Sequence, residues 1–508
     1  MTKPSQKNSS LTTRALGLAF AKTLAFVFNF ALPLLLVRRL SIKDFGLYKQ
    51  VFLVVNTAVI VLPFSIGMSA FYFLPRERER QGNVVFNVVL FSAMMGGLAC
   101  LALTIYPGLL ELIFGGRDLV PYAPQISLVI LLWIVALFID VAPIANQETR
   151  IATTMIIATQ LSRALVLLGA ALFFGTVRAL IYGAIIHGAA QVCVLLFYLH
   201  TRWNGFWRKF DASLFRTQLA YALPFGFAWL LYWFQLDLHN YFVSHHFGAE
   251  AFAIYSVGCF QLPLIWMLAD AASSVMFTRV SSMQKDGDHQ GVLMLTMQAM
   301  RKLAVAFFPV YAFLLVMGRE FIVFFFSERY AASWPIFAVN ITLIPLGILQ
   351  LDPIMRAYAE NRSFLLKLNA VLLVAMLLAF LLGTKMLGLV GIISLVVVFH
   401  VAGRLAMAWQ SARVIGVKRG DWRLLKDVGK IALATVAAAA ATAALRPAMQ
   451  GMKPLAALAV GGVVFGLVYL AAVLALAVVT PQERAMLTDK LGALQRRVPW
   501  RRAVEPLP

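Results

Sequence analysis

Charge is what this chain has least of. Only 13% of its 508 residues are Asp, Glu, Lys or Arg, about half the share a soluble domain carries, so most of its surface does not face water. Acidic residues are the scarcest: 22 against 44 Lys and Arg, a net charge of +22. Cysteine is nearly absent, and Cys100, Cys193 and Cys259 lie singly in apolar blocks. That excludes a disulfide framework and a thiolate metal site. The chain also has no HExxH pair, no Walker A loop and no Cys/His cluster. Metal-dependent hydrolysis and direct use of ATP by this chain are therefore not expected, nor is any cofactor. Long polar loops are missing too. The longest run about 20 to 25 residues, short for the catalytic domain that a membrane glycosyltransferase or polymerase would need.

What is present is apolar sequence, 61% of the chain, with a mean hydropathy of +0.82. It comes in blocks of about 17 to 25 residues, the length of helix that crosses ~30 Å of hydrocarbon. Blocks such as Ile181 to Tyr198 do not alternate apolar with polar, so barrel strands are excluded and helices remain. Fourteen transmembrane helices are expected. Six lie near Ala15–Val37, Val51–Phe73, Asn83–Ile105, Tyr122–Ile139, Ile151–Phe174 and Ala179–Tyr198. Six more follow near Leu219–Tyr241, Phe252–Phe277, Leu303–Met317, Ile336–Leu351, Leu365–Leu382 and Leu387–Trp409, and then Ile431–Leu445 and Leu455–Val479. The start, Met1 to Thr13, is polar, and no cleavable signal is expected.

The positive charge is better explained by topology than by nucleic acid. With the N-terminus inside, about 30 Lys and Arg fall on the cytoplasmic side and about 11 outside, which predicts cytoplasmic N- and C-termini. The outward cluster Arg38, Arg39, Lys43 and Lys49 is the main exception. Beyond the last span, Thr480-Pro481-Gln482-Glu483 has the grammar of a helix start. Apolar Met486, Leu491 and Leu494 there precede Arg496, Arg497, Arg501 and Arg502. The tail reads either as a helix lying on anionic membrane lipid or as a solvated basic segment.

The sequence also repeats itself. Phe45–Tyr48 opens the second span and Phe252–Tyr255 the eighth, both reading aromatic, small, aliphatic, aromatic. Asp140, Glu148 and Arg150 follow the fourth span with the same spacing as Asp352, Glu360 and Arg362 after the tenth. Six spans per copy keep both copies in one orientation, so an all-α integral membrane fold of two six-helix lobes is expected. The lobes would be related by a pseudo-two-fold along the membrane normal, with two further helices at the C-terminus. The divisions are 1–210, 211–412, 413–480 and a basic tail, 481–508.

Arg38-Arg39-Leu40-Ser41-Ile42-Lys43-Asp44-Phe45-Gly46-Leu47-Tyr48 resembles the opening of the polysaccharide-transporter (Wzx-type) flippases of the multidrug/oligosaccharidyl-lipid/polysaccharide exporter superfamily. Gly248 to Tyr255, Ser274 to Ser281, Arg329 to Pro335 and Thr480 to Arg484 are in keeping with it. The resemblance implies a carrier, not an enzyme. It would move a polyprenyl-diphosphate-linked oligosaccharide across the cytoplasmic (inner) membrane by alternating access, for surface or exported polysaccharide such as O-antigen or exopolysaccharide. It also suggests work beside a polymerase and a chain-length regulator. Two neighbouring readings stay open, a cation-coupled exporter of small amphipathic compounds and a lipid II flippase.

Ionisable residues deep in spans are costly and mark cavities or partners. Lys22 and Asn29, seven residues apart on the first span, share a face, and an ammonium there either meets a lipid diphosphate or snorkels to headgroups. Arg163 in the fifth span could grip phosphate or pair with a carboxylate such as Asp140. Gln261, expected mid-span, could bond sugar hydroxyls or a neighbouring helix. Arg404 and His400 share a face of the twelfth span, Arg404 as a substrate contact and His400 as a proton carrier or a hydrogen-bonded core residue. Asp237, then Asp270, are the carboxylates expected to couple transport to a H+ or Na+ gradient. Asp140, Arg150, Asp352 and Arg362 are either an inner gate or ordinary loop charges.

Overall fold

The computed structural model describes residues 31–358, 361–383 and 387–478, and every regular element among them is helical. The long helices are α1 (Ile42–Val61), α2 (Gln81–Ile105), α3 (Ala123–Ala136), α4 (Thr149–Phe173), α5 (Val177–Arg202) and α6 (Ala212–Gly258). They continue with α7 (Pro263–Lys285), α8 (His289–Phe326), α9 (Asn361–Gly383), α10 (Leu389–Ile415), α11 (Lys426–Leu445) and α12 (Pro454–Ala475). Eleven segments among the described residues are long and apolar enough to cross a membrane.

Three of the fourteen expected spans are not among those eleven. The first lies mostly outside the described residues, together with Lys22 and Asn29, and the basic tail lies outside them as well. The eighth, expected as one helix over Phe252–Phe277, is broken. Its first part ends α6, Cys259 to Leu262 are non-helical, and α7 restarts at Pro263. Pro263 has no N–H to continue the ladder, and its ring forces the preceding residue out of helical geometry. The tenth is divided into Trp334–Asn340, Leu343–Leu346 and Asp352–Ala357. Pro345 and Pro353 fall in those pieces, where prolines start helices more readily than they continue them.

By contacts the described residues form two units. The first comprises those within Met1–Pro263, Ile322–Asn340 and Glu360–Ala406, the second those within Leu264–Phe321, Ile341–Ala359 and Met407–Pro508. In the second unit, Phe307, Ile348, Ile431, Ala434 and Val473 share one buried cluster, and Arg446 pairs with Glu320 at 3.2 Å.

The first unit is organised on a seam between α1 and α6. α1 starts cleanly because Ser41 Oγ accepts the N–H of Asp44 at 3.0 Å. Gly46 then lets α1 approach so closely that a Cβ at this position would collide with the backbone carbonyl of Ala249. Farther along, Gln50 donates to Ser244 Oγ at 2.7 Å, and the Tyr241 hydroxyl donates to the Leu53 carbonyl at 3.4 Å. α6 bends at Gly248, whose φ of 76° is one that glycine adopts with little strain.

At its N-terminal end α6 is held by polar groups. Gln218 is fully buried, accepts from Asn87 at 2.9 Å and donates to Ser69 Oγ at 3.1 Å. Asp211 caps the helix. Its carboxyl is held below the usual carboxylate range, first by the N–H of Leu214 and then by Arg80, which lies 3.3 Å away. At the start of α1, two members of the Arg38, Arg39, Lys43 and Lys49 cluster have local partners. Arg38 donates to the Phe324 carbonyl, and Lys43 pairs with Asp118 at 2.8 Å. Arg329 donates to the carbonyls of Val37, Arg38 and Leu40, which close the preceding helix. Lys49 alone is turned inward.

Candidate functional site

The break between α6 and α7 opens a cavity of about 270 Å³. Phe45 and Lys49 of α1 line one side, Ser256, Cys259 and Gln261 of the break another, and Phe326 a third. No Asp or Glu is among the lining residues. The cavity sits where the chain gives up its helical hydrogen bonds. The N–H of Cys259 still reaches the Tyr255 carbonyl at 2.8 Å, and that of Phe260 folds back on Val257 at 3.1 Å. The Phe260 carbonyl accepts from Asn340 at 3.5 Å, so the break is tied to the helix that carries Asn340. Unwound backbone at membrane depth is tolerated only where it lines a cavity or is buried in protein.

Lys49 is half-buried seven residues into α1, about 10 Å along the helix at 1.5 Å per residue. Its ammonium lies 5.5 Å from the Phe45 ring centroid and has no ion pair among the described residues. A cation held in low dielectric without a carboxylate attracts an anionic guest far more strongly than it would in water. The sequence reading grouped Lys49 with the outer loop charges. The missed signal was its spacing: Phe45 and Lys49 are i and i+4 of a helix already begun at Ile42. Gln261 is exposed and lies in the break itself, not within a helix.

A second basic centre lies between α3, α4 and α5. The guanidinium of Arg163 lies over the Trp133 ring at 4.5 Å, and Tyr48 on α1 is within electrostatic reach. Its buried Nε has no hydrogen-bond partner in the described structure. His187 meets Trp133 edge-on at 6.1 Å and Ser162 at 3.4 Å. Arg163 forms no ion pair with Asp140 among the described residues, and Asp140 Oδ1 is itself buried without a partner.

In the second half of α6, His239 Nδ1 and the Tyr255 hydroxyl are hydrogen-bonded at 2.8 Å in a buried setting. His400 is close enough to act on His239 electrostatically, while its own Nδ1 lies 3.0 Å from the Val396 carbonyl. The sequence singled out His400 but not His239 or Tyr255. Only tertiary packing brings those two together across the bend at Gly248.

The remaining candidates are scattered. Asp237 is half-buried and accepts from Asn240 at 2.9 Å. Arg404 is half-buried in α10, and Asp270 is exposed on α7. Arg150 is exposed at the start of α4, where its neighbour Glu148 makes the contacts, pairing with Arg202 at 2.8 Å and accepting from the Tyr198 hydroxyl at 2.8 Å. Asp352 opens the short helix Asp352–Ala357, and the side chain of Arg362 lies outside the described residues. No cluster of His, Cys, Asp and Glu suited to a metal ion occurs among the described residues.

The profile of a family described as polysaccharide biosynthesis protein matches residues 35–335, more than half of the chain. No curated protein matches significantly by sequence. Solved structures match in fold. Lipid II flippase MurJ in an inward closed conformation aligns with a TM-score of 0.64 and 14% identity over 90% of this chain and 97% of that one. An inward-facing multidrug resistance MATE family transporter of the MOP superfamily aligns at 0.56 and 12% identity over 77% and 94%. A MOP superfamily transporter from Pyrococcus furiosus aligns at 0.53 and 15% identity over 81% and 98%.

Proposed function

Because this chain belongs to the polysaccharide biosynthesis protein family of MOP-superfamily membrane transporters, we propose that it is the flippase for a polyprenyl-diphosphate-linked oligosaccharide. The substrate crosses the cytoplasmic membrane by alternating access, and both chain termini are cytoplasmic. The six-helix halves 1–210 and 211–412 are the bodies that rock against each other. The observation that carries this reading is the cavity at the helix break. It presents Lys49 as an unpaired ammonium and Gln261 as a hydrogen-bonding group, with no carboxylate in its lining. That chemistry suits a diphosphate followed by sugar hydroxyls, and it disfavours a cationic drug.

Arg163 is a second contact for the anionic group, with its idle Nε as the free donor. Asp237, or the His239–Tyr255 pair beside His400, is where we place coupling to a H+ gradient, and Na+ at Asp237 is the variant of the same idea. Asp140, Arg150, Asp352 and Arg362 remain our choice for the inner gate. Asp270 is kept as the second choice for coupling, and Lys22, Asn29 and Arg404 as secondary substrate contacts. A polymerase and a chain-length regulator are the expected protein partners.

A strain lacking the gene tests the reading. Intact lipid-linked repeat units should accumulate on the cytoplasmic face, relieved by the wild-type gene and not by Lys49→Ala. Normal surface glycan with new sensitivity to cationic drugs would replace this reading with the exporter. Accumulation of lipid II instead would replace it with a lipid II flippase.

A further inference from the structure

The connection between α5 and α6 is short, folded and divided in its aromatic residues. Only Trp203 to Asp211 separate two segments long and apolar enough to cross a membrane, Val177–Arg202 and Ala212–Gly258. So short a link between two spans lies at a membrane face, at the level of the lipid headgroups. It is not slack. The N–H of Trp203 reaches the Leu199 carbonyl at 2.8 Å, and that of Phe206 the Trp203 carbonyl at 3.0 Å. Gly205, at a φ of 70°, starts the 3-10 turn Phe206–Arg208. Trp203 and Phe206 are 8% and 4% exposed, packed in the cluster that includes Val84, Leu199 and Leu214. Trp207 and Phe210 are 47% and 51% exposed. Two rings pin the turn to the protein and two are left outside.

The charges are divided as well. The carboxylates that touch this stretch already have partners: Asp211 pairs with Arg80 at 3.3 Å, and Glu148 with Arg202 at 2.8 Å. Arg208, Lys209 and, at the start of α6, Arg216 are exposed and have no ion pair among the described residues. Lys209 is nevertheless held in place. Its stem crosses α2 at Gly82, where a Cβ would come within 2.9 Å of Lys209 Cδ.

We propose that the α5–α6 connection is a binding site for an anionic phospholipid, with Arg208 and Lys209 on the headgroup phosphate and Trp207 and Phe210 in the interfacial layer beside it. A guanidinium next to an ammonium offers a phosphodiester a fork of donors and a point charge together. An exposed Trp suits headgroup depth, where the ring meets apolar matter and the indole N–H stays wet. Unpaired basic residues beside a span attract lipid of net negative charge, whereas a zwitterionic headgroup brings its own cation and gains less. An acidic protein segment would answer the charges but not the two exposed rings at headgroup depth. The site is separate from the Lys49 cavity and does not depend on what the protein transports.

Lipid binding to the purified full-length protein in detergent tests it. Phosphatidylglycerol and phosphatidylcholine with the same acyl chains are titrated in turn, and bound lipid is counted by native mass spectrometry. Wild type should bind phosphatidylglycerol at least about tenfold more tightly. Arg208→Gln combined with Lys209→Gln should remove most of that preference and leave phosphatidylcholine binding unchanged. Lys418→Gln combined with Arg419→Gln removes two exposed charges from another connection and should keep the preference within about twofold of wild type. A preference left intact in the Arg208 and Lys209 variant overturns the site. An equal loss in the control overturns it too, since net charge and not this connection would then select the lipid. Wild type that does not distinguish the two lipids also overturns it, and leaves the basic residues to an acidic protein partner.

Discussion

Reversing one charge, Lys49→Glu, should reduce delivery of surface polysaccharide by at least about 100-fold while protein accumulates normally in the membrane. The carboxylate would face the substrate diphosphate from the position where the ammonium now stands, in a site where charges are only weakly screened. Replacing attraction by repulsion there is worth several kcal/mol, and each 1.4 kcal/mol is about a tenfold change in rate or affinity. Lys49→Met separates charge from folding. It keeps the length and apolar stem of the side chain, which packs near Phe45. It should fold as wild type and lose transport about 10- to 30-fold, while Lys49→Arg should stay within about threefold of wild type. Quantitative surface glycan, normalised to membrane-embedded protein, is the readout. Full activity of Lys49→Met would remove the cavity from the transport path.

Gly46→Val should abolish the folded protein. The Cβ would be driven into the Ala249 carbonyl, a backbone atom that cannot swing aside as a side-chain tip can. α1 and α6 would have to separate, breaking the Gln50–Ser244 hydrogen bond and leaving both groups unpaired in the membrane interior. A destabilisation of about 3 kcal/mol or more is expected, at the upper end of what overpacking produces. Gly97→Val is the matched control, because a Cβ there meets nothing within 4 Å. Thermal unfolding in detergent should leave Gly97→Val near wild type and find little folded Gly46→Val. Similar curves for the two variants would mean that the close contact of α1 and α6 is not the organising seam.

Hydropathy gave the helical membrane fold and most of its spans because long apolar runs in lipid admit few alternatives. It failed at the eighth and tenth spans, where apolar content stays high through the breaks. There the information lay in single prolines, Pro263, Pro345 and Pro353, which an average over a window conceals. Gly115 and Ser327 each take a positive φ ahead of a short 3-10 turn that leads into the next helix, a local feature that apolar averages do not register. Gln261 and Arg163 were singled out by the rule that polar groups inside apolar blocks are costly. Lys49 escaped it because it lies at the edge of a block, beside Arg38, Arg39 and Lys43. His239 and Tyr255 escaped because neither is unusual alone, and only the bend at Gly248 makes them a pair.

Translocation by the purified protein in liposomes is the most direct test of the central claim. Lipid-linked oligosaccharide is reconstituted in both leaflets with the wild-type chain, and an impermeant glycosidase added outside reports the accessible fraction. The account predicts that all of the substrate becomes accessible in vesicles holding wild type, while vesicles holding Lys49→Glu stop at the outer-leaflet half. Accessibility halting at half with wild type, under an imposed H+ or Na+ gradient of either direction, would contradict the account.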